Sequence, residues 1–164
     1  MRRYRYVGPE AVRRSVAGHA AGAPVRTSEE LGRVLAELGE DEPCTYVITL
    51  GGELRLADRR SEHVACAGGE EVLAAGELAF ERERAGWRVT HASNQSTGYC
   101  PEPSSWGEVE RALDTIGVRH GGDFTHALVF RLCNACGERN IVKDSDFACE
   151  VCGAELPREW NFEG

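Results

Sequence analysis

Two pairs of cysteines near the end of the chain constrain its folding more than any other feature. Each pair has two residues between its cysteines and a glycine after them: Cys133-Asn-Ala-Cys136-Gly137 and Cys149-Glu-Val-Cys152-Gly153. A spacer of two residues bends the chain so that both thiolates reach one ion, and the glycine eases that turn. The spacing therefore predicts that Cys133, Cys136, Cys149 and Cys152 bind one Zn²⁺ in a closed tetrahedral site.

The two cysteine motifs resemble a zinc ribbon, over residues 131–156. Between them, residues 140–148 carry a turn, Asp144-Ser-Asp146, and are predicted to form the hairpin that brings the motifs together. Iron in a rubredoxin-like site and a pair of disulfides are the alternatives. Because four thiolates leave no open coordination position, we expect the metal to be structural rather than catalytic.

Charge divides the chain unequally. The sequence holds 19 basic and 27 acidic residues, a net charge of −8, yet residues 1–26 hold six arginines and one glutamate. The overall negative charge argues against broad nucleic-acid binding, which needs cationic surface. A basic segment on an acidic body could dock internally, bind an acidic partner or contact phosphate groups of an anionic ligand, and internal neutralisation with a solvated helix face is the favoured interpretation.

The chain contains no apolar run of about 18 residues, which a membrane helix would need. Its first residues, Met1-Arg-Arg-Tyr-Arg-Tyr, lead into no apolar stretch of the kind found in secretory signals. We therefore expect a soluble, cytoplasmic protein without a membrane partner, in which the cysteines are reduced and available to a metal.

Hydrophobic periodicity predicts helices on both sides of a group of strands. A short helix is expected after Pro9, a second after the capping box Thr27-x-x-Glu30, and a third after a capping box formed by Ser105 and Glu108. Strands are expected at 45–50 and 53–57 around Gly51-Gly52, at 63–67, at 76–82 and 87–92 around 84–86, and at 125–132.

This order of elements predicts an α+β fold with a largely antiparallel sheet, flanking helices and a C-terminal zinc ribbon. We divide the chain into a basic helical arm (residues 1–26), an α+β domain (27–130) and the zinc ribbon with its tail (131–164).

Histidine, amide, hydroxyl and thiol groups concentrate in two other stretches, 59–66 and 91–100. A polar loop after a strand is a common place for binding residues. We therefore predict a small-ligand site with three candidate catalytic residues and four candidate ligand-binding residues. The former are His63, His91 and Tyr99; the latter are Arg59, Arg60, Asn94 and Ser96.

Several alternatives remain open for these residues. Asn94 and Ser96 are equally expected to cap their own turn, and His91 to be a satisfied core histidine. Cys66 or Cys100 could act as a thiol nucleophile. A second metal site could combine His63 and Cys66 with His91 or Cys100. A separated His and Tyr also bind nucleotide in the ADP-ribosyltransferase fold, but the sequence offers no acidic third partner.

Residues 63–101 show a further resemblance, carried by His63, by Ala74-Ala-Gly-Glu-Leu78 and by Ser93-Asn-Gln-Ser-Thr-Gly-Tyr99-Cys-Pro101. They resemble an uncharacterised bacterial domain that also occurs downstream of the IQ motif in plant calmodulin-binding proteins. This chain has no IQ motif, so calmodulin binding is not implied. The resemblance implies that His63, Ser96 and Tyr99 belong to one site.

Two functional hypotheses follow from the sequence. In the first, a zinc-binding protein carries a small-ligand site, nucleotide-like or otherwise anionic, with catalysis left undecided. In the second, the protein is a non-catalytic interaction module that docks a protein partner through the basic arm or the ribbon.

Overall fold

A five-stranded antiparallel sheet forms the centre of the computed structural model, which describes residues 1–163. The strands are β1 (Ala23–Val25), β2 (Cys44–Thr49), β3 (Leu54–Ala57), β4 (Val72–Glu83) and β5 (Gly86–Ala92). Their order in the sheet is β1-β3-β2-β4-β5, and every neighbouring pair is antiparallel. The predicted α+β class with a largely antiparallel sheet is confirmed.

Four helices accompany the sheet: α1 (Glu10–Ser15), α2 (Ser28–Leu38), α3 (His63–Cys66) and α4 (Trp106–Ile116). The predicted start of α2 is confirmed, because the Thr27 hydroxyl accepts a hydrogen bond from the Glu30 N–H at 3.1 Å. The apolar sides of α2 and α4 pack into one core with one face of the sheet. Among residues 1–163, no helix is long and apolar enough to cross a membrane.

Both predicted hairpins are confirmed. β2 pairs with β3 around Gly51-Gly52, where Gly52 has a φ of 85° that favours glycine. β4 pairs with β5 as far as Glu83 and Gly86. β4 begins at Val72, earlier than predicted, because its first residues pair with the end of β2.

The prediction of a strand at 63–67 is wrong, because these residues form α3. A short apolar run fits a buried strand and a buried helical turn equally well. The Gly69 N–H donates to the Val64 carbonyl at 2.8 Å, and Gly68 and Gly69 both have positive φ. The two glycines thus end a helix rather than a strand.

The capping box predicted at Ser105 and Glu108 is also wrong. Ser105 lies in a 3₁₀ turn, Pro103–Ser105, that runs directly into α4. Its backbone is already helical, its hydroxyl donates to the Glu102 carbonyl at 2.6 Å, and its side chain forms no capping hydrogen bond to α4.

The N-terminal segment runs between the sheet and the C-terminal residues. Tyr4 is buried and exchanges two backbone hydrogen bonds with Val72, at 2.8 and 2.9 Å. Its ring packs edge-on against Trp160, with 5.5 Å between the centroids. Val7 donates its N–H to the Gly98 carbonyl at 2.7 Å.

The cysteine motifs lie in a small two-stranded sheet made of β6 (Val129–Leu132) and β7 (Arg139–Val142). β6 is shorter than the strand predicted at 125–132. The first cysteine motif is the loop of the β6–β7 hairpin, since Leu132 pairs with Arg139. Isolated bridges between Lys143 and Asp146 and between Ala148 and Glu155 continue the ribbon past the predicted turn.

Candidate functional site

Four thiolates meet at the end of the ribbon. The Sγ atoms of Cys133, Cys136, Cys149 and Cys152 all lie within 4.8 Å of one another. The shortest separations cross between the two motifs: 3.6 Å from Cys133 to Cys152 and 3.6 Å from Cys136 to Cys149. This cluster can hold a metal ion.

The sulfur separations fit a tetrahedral zinc site. With Zn–S bonds of about 2.3 Å, adjacent sulfurs of a regular tetrahedron lie about 3.8 Å apart. The observed 3.6 Å is close to that value. A disulfide would need about 2.05 Å, and all seven cysteines are free. The geometry therefore fits four metal-binding thiolates and not two disulfides.

Backbone N–H groups of each motif support the ionised form of the first sulfur. Hydrogen bonds from the N–H of Cys152, from the Asn140 side chain and from the N–H of Val151 lower the pKa of Cys149 to about 6. The N–H of Cys136 is the main cause that lowers the pKa of Cys133. Both sulfurs are therefore prepared to bind a cation as thiolates.

Asn94 joins two distant loops through hydrogen bonds to the backbone. Its amide nitrogen donates to the carbonyls of Pro101, at 3.0 Å, and Leu128, at 2.8 Å. Its amide oxygen accepts the Leu128 N–H at 2.7 Å. The side chain is completely buried, so these three bonds account for its polar groups. The predicted ligand-binding residue thus has a clear structural use.

Ser96 and Tyr99 are also buried and bonded to the backbone. The Ser96 hydroxyl accepts the Tyr99 N–H at 3.3 Å, which is the capping alternative left open by the sequence. The Tyr99 hydroxyl donates to the Glu70 carbonyl at 2.7 Å, and its ring lies edge-on to Tyr6. Burial is the main cause that raises the pKa of Tyr99, so the phenol stays protonated near neutral pH.

His63 and His91 both approach the carboxylate of Glu77. His63 donates from Nε2 to the Gly76 carbonyl at 2.8 Å, and burial lowers its pKa although the charge of Glu77 raises it. His91 Nε2 lies 3.8 Å from Glu77 Oε1, too far for a hydrogen bond. The Nε2 atom itself is buried, although the side chain is 27% exposed, and it has no hydrogen-bond partner among residues 1–163.

Arg59 and Arg60 are exposed. Arg59 lies 3.4 Å from Glu42 and Arg60 lies 3.8 Å from Asp58. Both guanidinium groups therefore have acidic neighbours of their own. Glu77 thus lies beside His91 and its charge affects the pKa of His63, whereas the polar groups of Asn94, Ser96 and Tyr99 bond to the backbone.

The three cysteines outside the ribbon are buried. Burial raises the pKa of Cys44 to about 11 and the pKa values of Cys66 and Cys100 to about 12. Thiols with such values are protonated near neutral pH and are poor nucleophiles. This favours their role as small core residues over the thiol-nucleophile alternative.

A groove lies between the N-terminal segment and the ribbon. Its volume is about 490 Å³, and its lining includes Arg5, Val7, Leu132, Arg139 and Phe162. A second cavity of about 180 Å³ shares Arg5, Val7 and Phe162 with it and extends to Arg3. We call these two cavities together the arm–ribbon groove. The lining residues of the N-terminal segment lie more than 120 positions before those of the ribbon, so no local sequence pattern predicts the groove.

Sequence reasoning also missed two residues beside His91. In the sequence Glu77 is one residue of a predicted strand. Ala79 pairs with His91 in the sheet, so Glu77, two residues before Ala79, lies diagonally across from His91. His126 lies in the segment after α4, and its ring stacks on His91 with 4.7 Å between the centroids. A parallel bridge from Ser93 to His126 brings the two histidines together.

Comparison with protein-family models, with curated proteins and with solved structures finds no match to this chain.

Proposed function

We propose that this protein is a non-catalytic binding protein, stabilised by one structural Zn²⁺, that docks an acidic protein segment in the arm–ribbon groove. The four-thiolate cluster carries the first half of this proposal. A site with four protein sulfurs has no position for water or substrate, so the metal stabilises the fold instead of activating a nucleophile.

Zinc would hold the part of the ribbon that has little core of its own. The hydrophobic cluster there consists of Cys133, Cys149 and Leu156, with Val142, Phe147 and Ala154 packed around it. Two of its three buried members are themselves metal ligands. Small modules of this kind depend on the metal for most of their folding free energy.

Free positive charge beside an apolar surface supports the docking half of the proposal. Arg2 pairs with Glu102 at 2.9 Å and with Glu163 at 2.6 Å. Arg3 and Arg5 are exposed, and neither forms an ion pair within residues 1–163. The side chains of Val7 and Phe162 lie beside them. Glu71 and Glu163 also line the groove, and Glu163 is paired with Arg2. An acidic segment with an apolar side chain therefore complements the part of the groove formed by Arg3, Arg5, Val7 and Phe162.

The zinc half is tested by elemental analysis of purified, dialysed protein. We expect about one zinc per chain, lost in Cys149→Ser and retained in Cys44→Ala, which removes a thiol outside the cluster. Protein that contains no zinc, or a Cys149→Ser variant that retains it, would contradict the assignment.

The docking half is tested by fluorescence anisotropy with a labelled peptide, Glu-Glu-Phe-Glu-Glu-Leu. Exchanging two attractive exposed pairs for repulsive ones costs roughly 1–2 kcal/mol, so Arg3→Glu with Arg5→Glu should weaken binding about tenfold. The control is Arg14→Glu with Arg84→Glu, which reverses two exposed arginines that line neither cavity of the groove. Equal losses in both double variants would refute the groove as the docking site.

A small anionic-ligand site around His63 is the second candidate. The unbonded Nε2 of His91 supports a polar ligand there, because a buried ring nitrogen without a partner is unusual in a protein interior, whereas the Glu77 carboxylate 3.8 Å away disfavours an anion. His63→Ala and Tyr99→Phe should then abolish nucleotide binding, and each should also lower Tm, because each removes a hydrogen bond to a backbone carbonyl. If the wild type binds no nucleotide, only the structural role of these residues remains.

A further inference from the structure

We infer that Glu77, His91 and His126 form a second binding site for a divalent transition metal such as Zn²⁺, on the sheet and away from the ribbon cysteines. The proposal does not depend on the docking function. It rests on three observations: an unbonded ring nitrogen, a carboxylate next to it, and a second imidazole whose ring is in contact with the first.

The first observation concerns His91. Its Nε2 atom is buried and has neither a donor nor an acceptor among residues 1–163. Leaving such a nitrogen unpaired is unfavourable, because the group loses its hydrogen bonds to water and gains none in the protein. A bound ion accounts for a buried polar atom of this kind, since neutral imidazole nitrogen is a common ligand of zinc, copper and nickel.

The second observation concerns the nearest acidic group. Glu77 Oε1 lies 3.8 Å from His91 Nε2, and no Lys or Arg lies within 4 Å of this carboxylate among the described residues. Two ligand atoms bound to one tetrahedral zinc at about 2.1 Å lie about 3.4 Å apart. For both groups to bind one metal, the distance between Glu77 Oε1 and His91 Nε2 therefore needs to shorten by only a few tenths of an ångström.

The third observation concerns the stacked rings. The centroids of His91 and His126 are 4.7 Å apart and the rings are tilted by 39°. Two imidazoles that bind one zinc through Nε2 have centroids about 5 Å apart, from the Zn–N length of about 2.1 Å. The two rings are thus in contact, but the ring of His126 must turn before its nitrogen can share an ion with His91 and Glu77, because these three residues do not have all their ligand atoms within 4.8 Å of one another.

A hydrogen bond leaves the right nitrogen of His126 free. The Thr125 hydroxyl lies 3.0 Å from the Ala92 carbonyl and 3.0 Å from His126 Nδ1. The hydroxyl also accepts the Ala92 N–H at 2.8 Å, and the Ala92 carbonyl accepts the N–H groups of Thr125 and His126 as well. In the Nδ1–H tautomer His126 donates to this hydroxyl, and Nε2 then carries the lone pair that a metal needs. The Thr125 contact is thus the kind of supporting bond that metal-binding histidines make.

This site is less complete than the ribbon site. Within residues 1–163, only the four cysteines have ligand atoms that all lie within 4.8 Å of one another. His126 is exposed, so its ring can rotate to bring Nε2 towards Glu77 and His91. We therefore expect the second site to bind zinc more weakly than the ribbon does.

Calorimetric titration of Zn²⁺ into purified, dialysed protein tests the inference. We expect one further zinc per chain, with affinity lowered about tenfold or more in Glu77→Gln, His91→Ala and His126→Ala. Because His126 is exposed, its variant stays folded even if the others lose stability. His19→Ala, which removes an exposed histidine of the N-terminal segment, is the matched control.

The inference is overturned if the wild type takes up no further zinc. It is also overturned if His126→Ala binds zinc as the wild type does, or if His19→Ala loses as much affinity, because the uptake would then lie elsewhere. In each case the ribbon zinc, already present before titration, remains measurable by elemental analysis.

Discussion

Replacing Asn94 by alanine should destabilise the protein severely. The change removes three hydrogen bonds, to the carbonyls of Pro101 and Leu128 and from the N–H of Leu128. The bond to Pro101 is buried, so its loss costs about 1–3 kcal/mol. Each bond to Leu128 is partly buried and contributes about 0.5–1.5 kcal/mol. The expected loss is therefore about 2–6 kcal/mol, out of a typical 5–15 kcal/mol for a whole domain.

Urea denaturation followed by circular dichroism measures this loss. Gln95→Ala is the matched control, because Gln95 is the exposed neighbour of Asn94 and should change the free energy of unfolding by less than about 0.5 kcal/mol. If Asn94→Ala costs no more than the control, the hydrogen bonds do not hold the two loops, and the residue is free to bind a ligand as the sequence predicted.

Three further predictions concern the sheet, a buried histidine and the ribbon. Gly76→Ala should destabilise the protein by several kcal/mol, since its Cβ would come within 2.0 Å of the Ser93 carbonyl oxygen. In the control Gly107→Ala the Cβ meets no atom within 4 Å, so this change should be neutral or mildly stabilising. Urea denaturation of both variants measures the difference. Burial lowers the pKa of His63 in the folded protein, so on acidification the unfolded chain takes up the proton first. The free energy of unfolding should therefore be highest above about pH 6.5 and should fall as the pH drops towards the lowered pKa of the folded protein. This fall should be smaller in His63→Gln. An identical pH profile for that variant would contradict this assignment. Removal of zinc by a chelator should expose Lys143 and Arg139 of the ribbon to trypsin, while strands β2–β5 stay protected from cleavage. Mass spectrometry of the fragments identifies the cleavage sites. Cleavage throughout the chain would contradict a local role for the metal.

Local patterns determined much of the fold. The capping contact of Thr27 and the two hairpins depend on residues a few positions apart, and the sequence displays them directly. The apolar stripe of α4 has the same local character. Short-range geometry also explains why the cysteine spacing identified the metal ligands: each C-x₂-C turn places two sulfurs together whatever surrounds it.

Predictions from local patterns were wrong where the same residues are compatible with two kinds of local structure. The apolar residues at 63–67 suit a strand or a helical turn, and the contact of this segment with β2, β3 and the Gly68-Gly69 end decided for α3. Ser105 is a residue type that caps helices, but it lies in the 3₁₀ turn that begins at Pro103, where its backbone is already helical and its side chain does not cap α4. Tertiary packing outweighs such weak local preferences.

The chemical roles of the polar residues depended on the tertiary structure alone. From the sequence, Asn94 is one amide in a polar loop, and only a partner 34 residues away, Leu128, shows that its hydrogen bonds are used. Glu77, His91 and His126 likewise meet because sheet pairing and the bridge at Ser93 bring three separate segments together. The sequence by itself determined the contacts that form within one turn or hairpin, and the fold decided which polar groups, brought together from distant segments, remain free to bind.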